Sequence, residues 1–231
     1  MKDLIRLRRS RALKNIYELL DQNGFKKPLV AFSAGPDSCF LLASCACLIK
    51  RKSSNGVFNL HACHVNHNLR SSAIVDQEIA KSICQSFGVD LTVIDIYFKD
   101  KNNIYHNARQ KRYDALYDCA IKNNCDCILT AHHGDDLLET IIMQICRGVS
   151  IEKIGMNRVG FWKDMPLLRP LYDFTKLEIE NLLNDLGICF AIDPSNDSER
   201  VRSKIRKKIL PIMKEINPNV HVSAQRIFVK K

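Results

Sequence analysis

Two short polar segments of this chain combine residue types that bind phosphate groups and metal ions. The first follows an apolar run that ends at Phe32, and it consists of Ser33, Ala34, Gly35, Pro36, Asp37 and Ser38. Small residues let a backbone approach an anion closely, and the start of a helix offers free N–H groups to it. Serine hydroxyls add hydrogen-bond donors, and a carboxylate such as Asp37 suits an Mg²⁺ ion that neutralises phosphate. The segment therefore predicts a loop that binds nucleotide phosphates together with Mg²⁺.

This loop differs from the common phosphate loop of nucleotide triphosphatases, which ends in Gly-Lys-Ser or Gly-Lys-Thr. The segment contains no lysine. An alternative interpretation is that its serine and aspartate residues only cap a helix, since both types are favoured at that position. Spacing alone does not separate the two interpretations.

The second polar segment, residues 130–140, lies where a predicted strand meets a predicted helix. It holds two histidines and three carboxylates: His132, His133, Asp135, Asp136 and Glu139. Asp136 and Glu139 are three residues apart and therefore share one helical face. Carboxylates at a helix start also stabilise the helix dipole, which offers a purely structural alternative. Because so many ionisable groups exceed what capping requires, we interpret the segment as part of an active site.

Apolar periodicity divides the chain into alternating strands and helices, without internal repeats. Strands are predicted at residues 28–33, 58–66, 89–98 and 127–131, and helices at 37–50, 73–87, 104–123, 135–147, 175–186 and 200–216. This alternation predicts the α/β class, with a doubly wound, mainly parallel sheet and helices on both faces. Such sheets bind ligands at the carboxyl ends of their strands, where both polar segments fall.

The formal net charge of +10 is concentrated at the two ends of the sequence. Residues 1–20 hold six basic and two acidic residues, and residues 200–231 hold ten basic residues and one acid. Segregated positive charge is typical of proteins that bind a polyanion such as RNA. A solvated basic tail is the alternative.

Composition also restricts the compartment and the metal chemistry. The longest apolar run, residues 39–49, is too short to cross a bilayer, so no membrane association is predicted. No apolar block follows the amino-terminal arginines, and we predict a cytoplasmic protein, with an organellar transit peptide as the alternative. The ten cysteines lack the two-residue spacing of zinc or iron–sulfur ligands, so we interpret them as small apolar residues.

The first polar segment resembles the Ser-Gly-Gly-x-Asp-Ser loop of the PP-loop ATP pyrophosphatases. The second resembles the Ala-His-His-x-Asp-Asp-x-x-Glu-Thr motif of the tRNA(Ile)-lysidine synthetases within that superfamily. Further similarities to lysidine synthetases follow in chain order: residues 64–70 with Asp76, residues 108–113, residues 168–171, residues 193–196, and Arg202 with Arg206. The resemblance covers residues 28 to about 211.

This resemblance implies ligation of L-lysine to the wobble cytidine of an isoleucine tRNA with a CAU anticodon. ATP would form an adenylated cytidine and end as AMP and pyrophosphate. The resemblance implies that residues 33–38 bind ATP and that Asp37 and Asp136 bind Mg²⁺. Glu139 would hold the ion or the lysine ammonium, and His133 would orient the reacting groups. Three arginines complete the catalytic set by neutralising pyrophosphate or tRNA phosphate: Arg109, Arg112 and Arg206.

Ala34 departs from the resembled loop, which has glycine at this position. We expect its methyl group to be tolerated only if the backbone avoids positive φ, and to alter phosphate binding to some extent.

The catalytic domain is predicted to span residues 1–216, with an amino-terminal helix at 1–24 and a helical extension at 171–216. Residues 217–231 are predicted to form a basic tail, and no separate carboxyl-terminal tRNA-binding domain is expected. Within the extension, Val201, Ile205, Ile209, Ile212, Met213 and Ile216 form a predicted apolar stripe. The basic residues off this stripe are predicted to contact tRNA phosphates: Arg202, Lys204, Arg206, Lys207 and Lys208.

Two alternative functions stay open beside lysidine synthesis. The first is 2-thiolation of a tRNA base, although such enzymes usually carry paired cysteines that this sequence lacks. The second is a catalytically inactive tRNA-binding module, against which the retained Asp37, Asp136 and Glu139 argue. The sequence also leaves a homodimer open as an alternative to a monomer.

Overall fold

The computed structural model describes residues 7, 10–52, 59–66, 73–97, 104–188, 190–191 and 201–228. The strands are β1 (Pro28–Ala31), β2 (His61–Asn66), β3 (Asp90–Asp95), β4 (Cys127–Leu129), β5 (Val159–Trp162) and β6 (Met165–Leu168). The helices are α1 (Arg11–Gln22), α2 (Pro36–Lys52), α3 (Ala73–Phe87), α4 (Ile104–Lys122), α5 (Gly134–Cys146), α6 (Lys176–Asp185), α7 (Val201–Lys204), α8 (Leu210–Ile216) and α9 (Val220–Phe228).

The strands form one sheet in the order β3-β2-β1-β4-β6-β5. All neighbouring pairs are parallel except β5 and β6, which are antiparallel. The chain runs outward from β1 through β2 to β3 and then returns to the other side of β1 with β4. The sheet therefore reverses its winding between β1 and β4, which is where doubly wound sheets bind ligands.

Alternate side chains of the strands enter two hydrophobic clusters on opposite faces of the sheet. Val30 and Leu129 pack on one face with α1, α2, α3 and α6, whereas Leu29 and Ile128 pack on the other with α4. These buried runs confirm the prediction of a mainly parallel sheet covered on both faces. No helix in the described part of the chain is long and apolar enough to cross a membrane.

The hairpin of β5 and β6 lies where the sequence analysis predicted no element. Each strand has only four residues, and the two-residue connection of Lys163 and Asp164 contains no glycine. Lys163 nevertheless adopts a positive φ of 53°. Because the usual Asn-Gly or Asp-Gly signal is missing, the pattern gave no indication of a hairpin.

The predicted apolar stripe of residues 201–216 is wrong in its details. The π-helical turn Ile205–Ile209 separates α7 from α8 and rotates the residues that follow it. Ile205 is buried, as is Leu210, which the stripe did not include. Four stripe residues are exposed instead: Val201, Ile209, Ile212 and Ile216.

Residues 217–231, assigned to a basic tail by the sequence analysis, include helix α9. Ala224 and Phe228 pack with residues of α5 in a third hydrophobic cluster. The Nε2 amide of Gln225 donates a hydrogen bond to the carbonyl of Tyr172 at 2.8 Å. Helix α9 thereby contacts both the start of α5 and the segment that leads into α6.

Candidate active site

The phosphate loop connects β1 to α2 at the carboxyl edge of the sheet. Ser38 Oγ accepts a hydrogen bond from the Ser33 N–H at 3.2 Å and donates one to the Gly35 carbonyl at 3.0 Å. Ser33 Oγ lies 3.1 Å from Ser38 Oγ and accepts from the Gly35 N–H at 3.4 Å. Helix α2 begins at Pro36, which places Asp37 in its first turn. A backbone that turns tightly and then enters a helix directs free N–H groups towards an anion.

Ala34 adopts a φ of +61°, so the condition that the backbone avoids positive φ is not met. Its methyl group is fully buried in the hydrophobic cluster beneath the loop. The Ala34 carbonyl accepts hydrogen bonds from the Ala191 N–H at 2.9 Å and from Cys39 Sγ at 3.2 Å. Alanine in place of glycine therefore strains the backbone, at a cost of roughly 1–2 kcal/mol, while its methyl group packs in the core.

His133 lies between the two carboxylates that were predicted to bind Mg²⁺. Its Nε2 atom is 3.8 Å from Oδ1 of Asp37 and 3.5 Å from Oδ2 of Asp136. The imidazole is buried, and its Nδ1 atom has no hydrogen-bond partner within the described residues. The same Asp136 oxygen accepts a hydrogen bond from the His133 N–H at 3.1 Å, which caps the start of α5. The structure therefore brings Asp37, His133 and Asp136 together as predicted from the two motifs.

Burial alone would raise the pKa of Asp136, but the neighbouring His133 and Arg202, together with the hydrogen bond from the His133 N–H, outweigh it and lower the pKa. Arg202 Nη2 lies 3.0 Å from Asp136 Oδ1. Burial lowers the pKa of His132 to about 3, and the positive charges of Arg169, Arg112 and Arg202 act in the same direction. The site thus contains an ionised Asp136 beside a neutral His132 near neutral pH.

Glu139 is completely buried and is bound by two arginines of the carboxyl-terminal helices. Its Oε2 atom accepts from Arg202 Nε at 2.5 Å and from Arg206 Nη2 at 3.2 Å, while its Oε1 atom accepts from Arg206 Nε at 2.6 Å. The hydrogen bond to Glu139 raises the pKa of Arg206. Arg202 and Arg206, which the sequence analysis placed off the apolar stripe as contacts for phosphate, face α5 in the structure. Residues 202 and 206 are one turn apart, and this spacing brings both to one carboxylate.

Three further charged residues of the site were missed by the sequence analysis or left without a role. Lys176 Nζ lies 2.7 Å from Asp37 Oδ1. Lys214 Nζ lies 2.7 Å from Asp135 Oδ2, which also accepts from the Lys176 N–H at 3.1 Å. A capping box of Thr175 and Glu178 fixes the start of α6, where Lys176 is the first residue. These contacts join segments far apart in the chain, so local spacing carried no signal for them.

Arg109 and Arg112 lie on α4, on the side of the sheet where Trp162 packs. Their guanidinium carbons are 5.0 Å and 5.2 Å from the centre of the Tyr113 ring, which stacks on Trp162. The positive charge of Arg112 lowers the pKa of His132, and that of Arg109 lowers the pKa of Arg169. Both arginines therefore lie on the Tyr113 side of α4, and their role in binding phosphate stays a prediction.

The oxygen atoms of Asp37 and Asp136 are of the type that Mg²⁺ binds. Asp37 and Asp136 present carboxylate oxygens to the same histidine nitrogen, and Mg²⁺ prefers such oxygen ligands. The described residues contain no group of three or more histidine, cysteine or acidic side chains that could hold a metal alone. Two carboxylates are sufficient where phosphates and water complete the coordination, as is usual for Mg²⁺. The residues therefore fit a nucleotide-bound Mg²⁺.

Two of the segments that carried the family resemblance lie partly or wholly outside the described residues. These are residues 67–70 of the second-strand motif and residues 193–196. His64, the first residue of the second-strand motif, is buried, and its Nδ1 atom lies 3.0 Å from the carbonyl oxygen of Phe32. This contact holds β2 against the end of β1, where the phosphate loop begins.

Comparison with known protein families matches residues 8–213 to the PP-loop domain. A tRNA(Ile)-lysidine synthase of Mycoplasma mycoides is 35% identical over 215 residues, which are 88% of this chain and 52% of that protein. A tRNA(Ile)-lysidine synthase of Pseudomonas fluorescens is 32% identical over 219 residues, which are 94% of this chain and 48% of that protein. The chain thus spans about half the length of these relatives.

Solved structures with the same fold include the U34-tRNA thiolase NcsA of Methanococcus maripaludis with its [4Fe-4S] cluster. It superimposes with a TM-score of 0.75 at 18% identity and covers 93% of this chain and 75% of that one. The NH3-dependent NAD synthetase of Campylobacter jejuni superimposes with a TM-score of 0.55 at 12% identity, covering 98% and 92%. At these identities the similarity shows the fold alone.

Proposed function

The chain belongs to the PP-loop domain family, and on that premise we propose that it ligates L-lysine to the wobble cytidine of an isoleucine tRNA with a CAU anticodon. In this reaction the cytidine 2-oxygen attacks the α-phosphorus of ATP and pyrophosphate leaves. The lysine ε-amine then attacks carbon 2 of the adenylated base and AMP leaves, which yields lysidine. The relatives named tRNA(Ile)-lysidine synthase support this assignment.

The observation that carries the proposal is the convergence of two motifs at the switch between β1 and β4. Asp37 from the phosphate loop and Asp136 from α5 both lie within 3.8 Å of His133 Nε2. ATP is therefore proposed to place its phosphates over residues 33–38. Asp37 and Asp136 would hold Mg²⁺, which supplies neutralisation of phosphate charge when it is bound.

The remaining residues of the site are proposed to bind and orient the reactants. Buried Glu139 holds Arg202 and Arg206 in place through its two oxygens, so that their exposed edges can meet the departing pyrophosphate. Arg109 and Arg112 add guanidinium groups on the side of α4, where bidentate contacts to phosphate are favourable. His133 is buried and close to both carboxylates, and it is proposed to fix their orientation.

The tRNA backbone is proposed to meet the outer side of the carboxyl-terminal helices. Lys204, Lys207 and Lys208 are exposed there, next to the arginines that reach the site. The wobble base must leave its stack to reach ATP, which is feasible in a single-stranded anticodon loop. A tRNA substrate is also consistent with a cytoplasmic location.

Incubation of the chain with unmodified tRNA(Ile), ATP, Mg²⁺ and labelled lysine tests the proposal. We expect tRNA-bound label and a nucleoside whose mass equals cytidine plus lysine minus water. Asp37→Asn is the matched inactive control, because it keeps the size of the side chain and removes its charge. Addition of sulfur, or AMP release without lysine incorporation, would show that the chain is another kind of PP-loop enzyme.

A further inference from the structure

Arg169, at the carboxyl end of β6, is a buried cation that the mechanism above does not use. Its side chain is 7% exposed. A guanidinium carries five N–H donors, but within the described residues this side chain makes one hydrogen bond, from Nη1 to the carbonyl of Asn157 at 2.6 Å. Its Nε atom is buried without a partner. Burying a cation with unsatisfied donors is unfavourable unless an anion joins it.

A second buried donor without a partner lies beside Arg169. The Tyr113 side chain is 1% exposed, and its hydroxyl has no hydrogen-bond partner in the described part of the chain. Burial lowers the pKa of Arg169, Tyr113 counteracts this, and Arg109 lowers the pKa further. Gly160, whose Cβ position lies 3.2 Å from Arg169 Nη1, and Trp162, which stacks on Tyr113, are two residues apart on β5 and therefore share one face of the sheet with both side chains.

Three arginines form a positively charged cluster here, and in the described part of the chain no carboxylate pairs with them. Among the described residues, none of the three guanidinium groups of Arg109, Arg112 and Arg169 has an acidic side chain within ion-pair distance, whereas Arg202 is paired with Asp136 and Glu139. Gly160 leaves room for this arrangement, since a Cβ atom there would lie 3.2 Å from Arg169 Nη1. The cluster is therefore suited to an oxyanion that reaches buried donors.

The position of Arg169 separates it from the phosphate loop. Two strand spacings of about 4.8 Å each lie between β1 and β6, and the acidic residues after β4 lie between them. In the strand order, Arg169 therefore lies on the far side of the acidic residues from the phosphate loop.

We propose that Arg169 and the Tyr113 hydroxyl bind the α-carboxylate of the free amino-acid substrate. This inference rests on the proposed function. A terminal carboxylate of a small molecule can reach donors this deeply buried, whereas a phosphodiester within a polymer cannot approach them as closely. The lysine amine stands at the end of a four-carbon stem, so the carboxylate can occupy this cluster while the amine points to the reacting base.

Calorimetric titration with L-lysine and with L-lysinamide, which lacks the carboxylate charge, tests the assignment without requiring catalysis. We expect the wild-type chain to bind lysine at least about tenfold more tightly than lysinamide, since hydrogen bonds to charged groups contribute this much. Tyr113→Phe and Arg169→Lys should reduce this preference to about threefold or less. Tyr117→Phe is the matched control, because it removes the same hydroxyl one turn further along α4, and it should keep the preference.

Equal binding of lysine and lysinamide by the wild type, or no binding of either, would overturn the assignment. A preference that survives in both variants would overturn it as well. Thermal unfolding of each variant shows whether it is folded, and Tyr113→Phe keeps the ring that stacks on Trp162. The proposed function is contradicted by a different result, namely that lysine is not transferred to tRNA. A chain that makes lysidine without preferring lysine over lysinamide would disprove only this inference.

Discussion

Lys176 Nζ lies 2.7 Å from Asp37 Oδ1, and this contact joins the start of α6 to the phosphate loop across 139 positions of sequence. Lys176 also lies 3.7 Å from Glu180, but the contact with Asp37 is shorter. The lysine thus supplies a positive charge at the place where nucleotide phosphates and Mg²⁺ are proposed to bind. It neutralises Asp37 until these ligands arrive.

Replacing Lys176 with Met should weaken ATP binding about tenfold in the presence of Mg²⁺, equivalent to about 1.4 kcal/mol, because the loop loses a positive charge next to Asp37. Calorimetric titration with a non-hydrolysable ATP analogue measures the effect. Lys176→Arg should retain most of the affinity. An unchanged affinity in Lys176→Met would mean that the lysine only neutralises Asp37 in the free protein.

Glu139→Gln should lower the free energy of unfolding by roughly 2–4 kcal/mol. The buried carboxylate binds two guanidinium groups, and removing one partner of a buried pair leaves charge uncompensated. The arginine side chains are 39% and 43% exposed, so solvent moderates the loss. Urea denaturation measures it, with exposed Glu152→Gln as the control. A loss below 1 kcal/mol would show that water replaces the carboxylate.

Gly134→Ala should destabilise the protein by about 1–3 kcal/mol through overpacking. A Cβ atom at this position would lie 2.7 Å from Cδ2 of His221, because α9 packs on the first residue of α5. In a His221→Ala background the same substitution should cost at least 1 kcal/mol less. Additive effects in the double variant would contradict close packing of the two helices.

The stability contributed by His221 should decline as the pH falls below about 6.5. Burial lowers the pKa of His221 in the folded state; Glu178, Asp135 and the Asp173 carbonyl partly counteract this, and Lys214 adds to it. The unfolded chain therefore takes up the proton first, and stability falls by up to about 1.4 kcal/mol per pH unit until the folded pKa is reached.

Urea denaturation at pH 7 and pH 5 should show a smaller pH dependence for His221→Gln than for the wild type. An equal change in the free energy of unfolding between pH 7 and pH 5 in the two proteins would mean that other groups account for the acid sensitivity. His64, whose pKa is also lowered by burial, is present in both and cancels in the comparison.

Replacing Lys204, Lys207 and Lys208 with Ala should weaken tRNA binding and reduce its dependence on salt. Each lost phosphate contact lowers the slope of log K against log salt by about 0.7–0.9. Filter binding at several salt concentrations measures both quantities. The exposed lysines Lys14, Lys26 and Lys81 serve as a matched triple control. An unchanged slope in the first variant would place the tRNA elsewhere.

The sequence indicated the α/β class because parallel strands and their helices leave local apolar patterns in the chain. It also indicated that Asp37 and Asp136 would meet, since the carboxyl ends of neighbouring strands share one edge of the sheet. The short hairpin of β5 and β6 escaped detection because four-residue strands and a turn without glycine carry little pattern.

Residue types and spacing in the sequence were enough to determine the four parallel strands β1 to β4 and the positions of the polar loop at residues 33–38 and of the acidic helix start. Only the tertiary structure decided that Arg202 and Arg206 face Glu139, because a π-helical turn sets which side of the helix meets α5. It also decided the pairing of Lys176 with Asp37 and the place of Arg169 beside Tyr113. Such contacts depend on how segments that are far apart in the sequence pack against each other in the folded protein. No local sequence pattern encodes this packing.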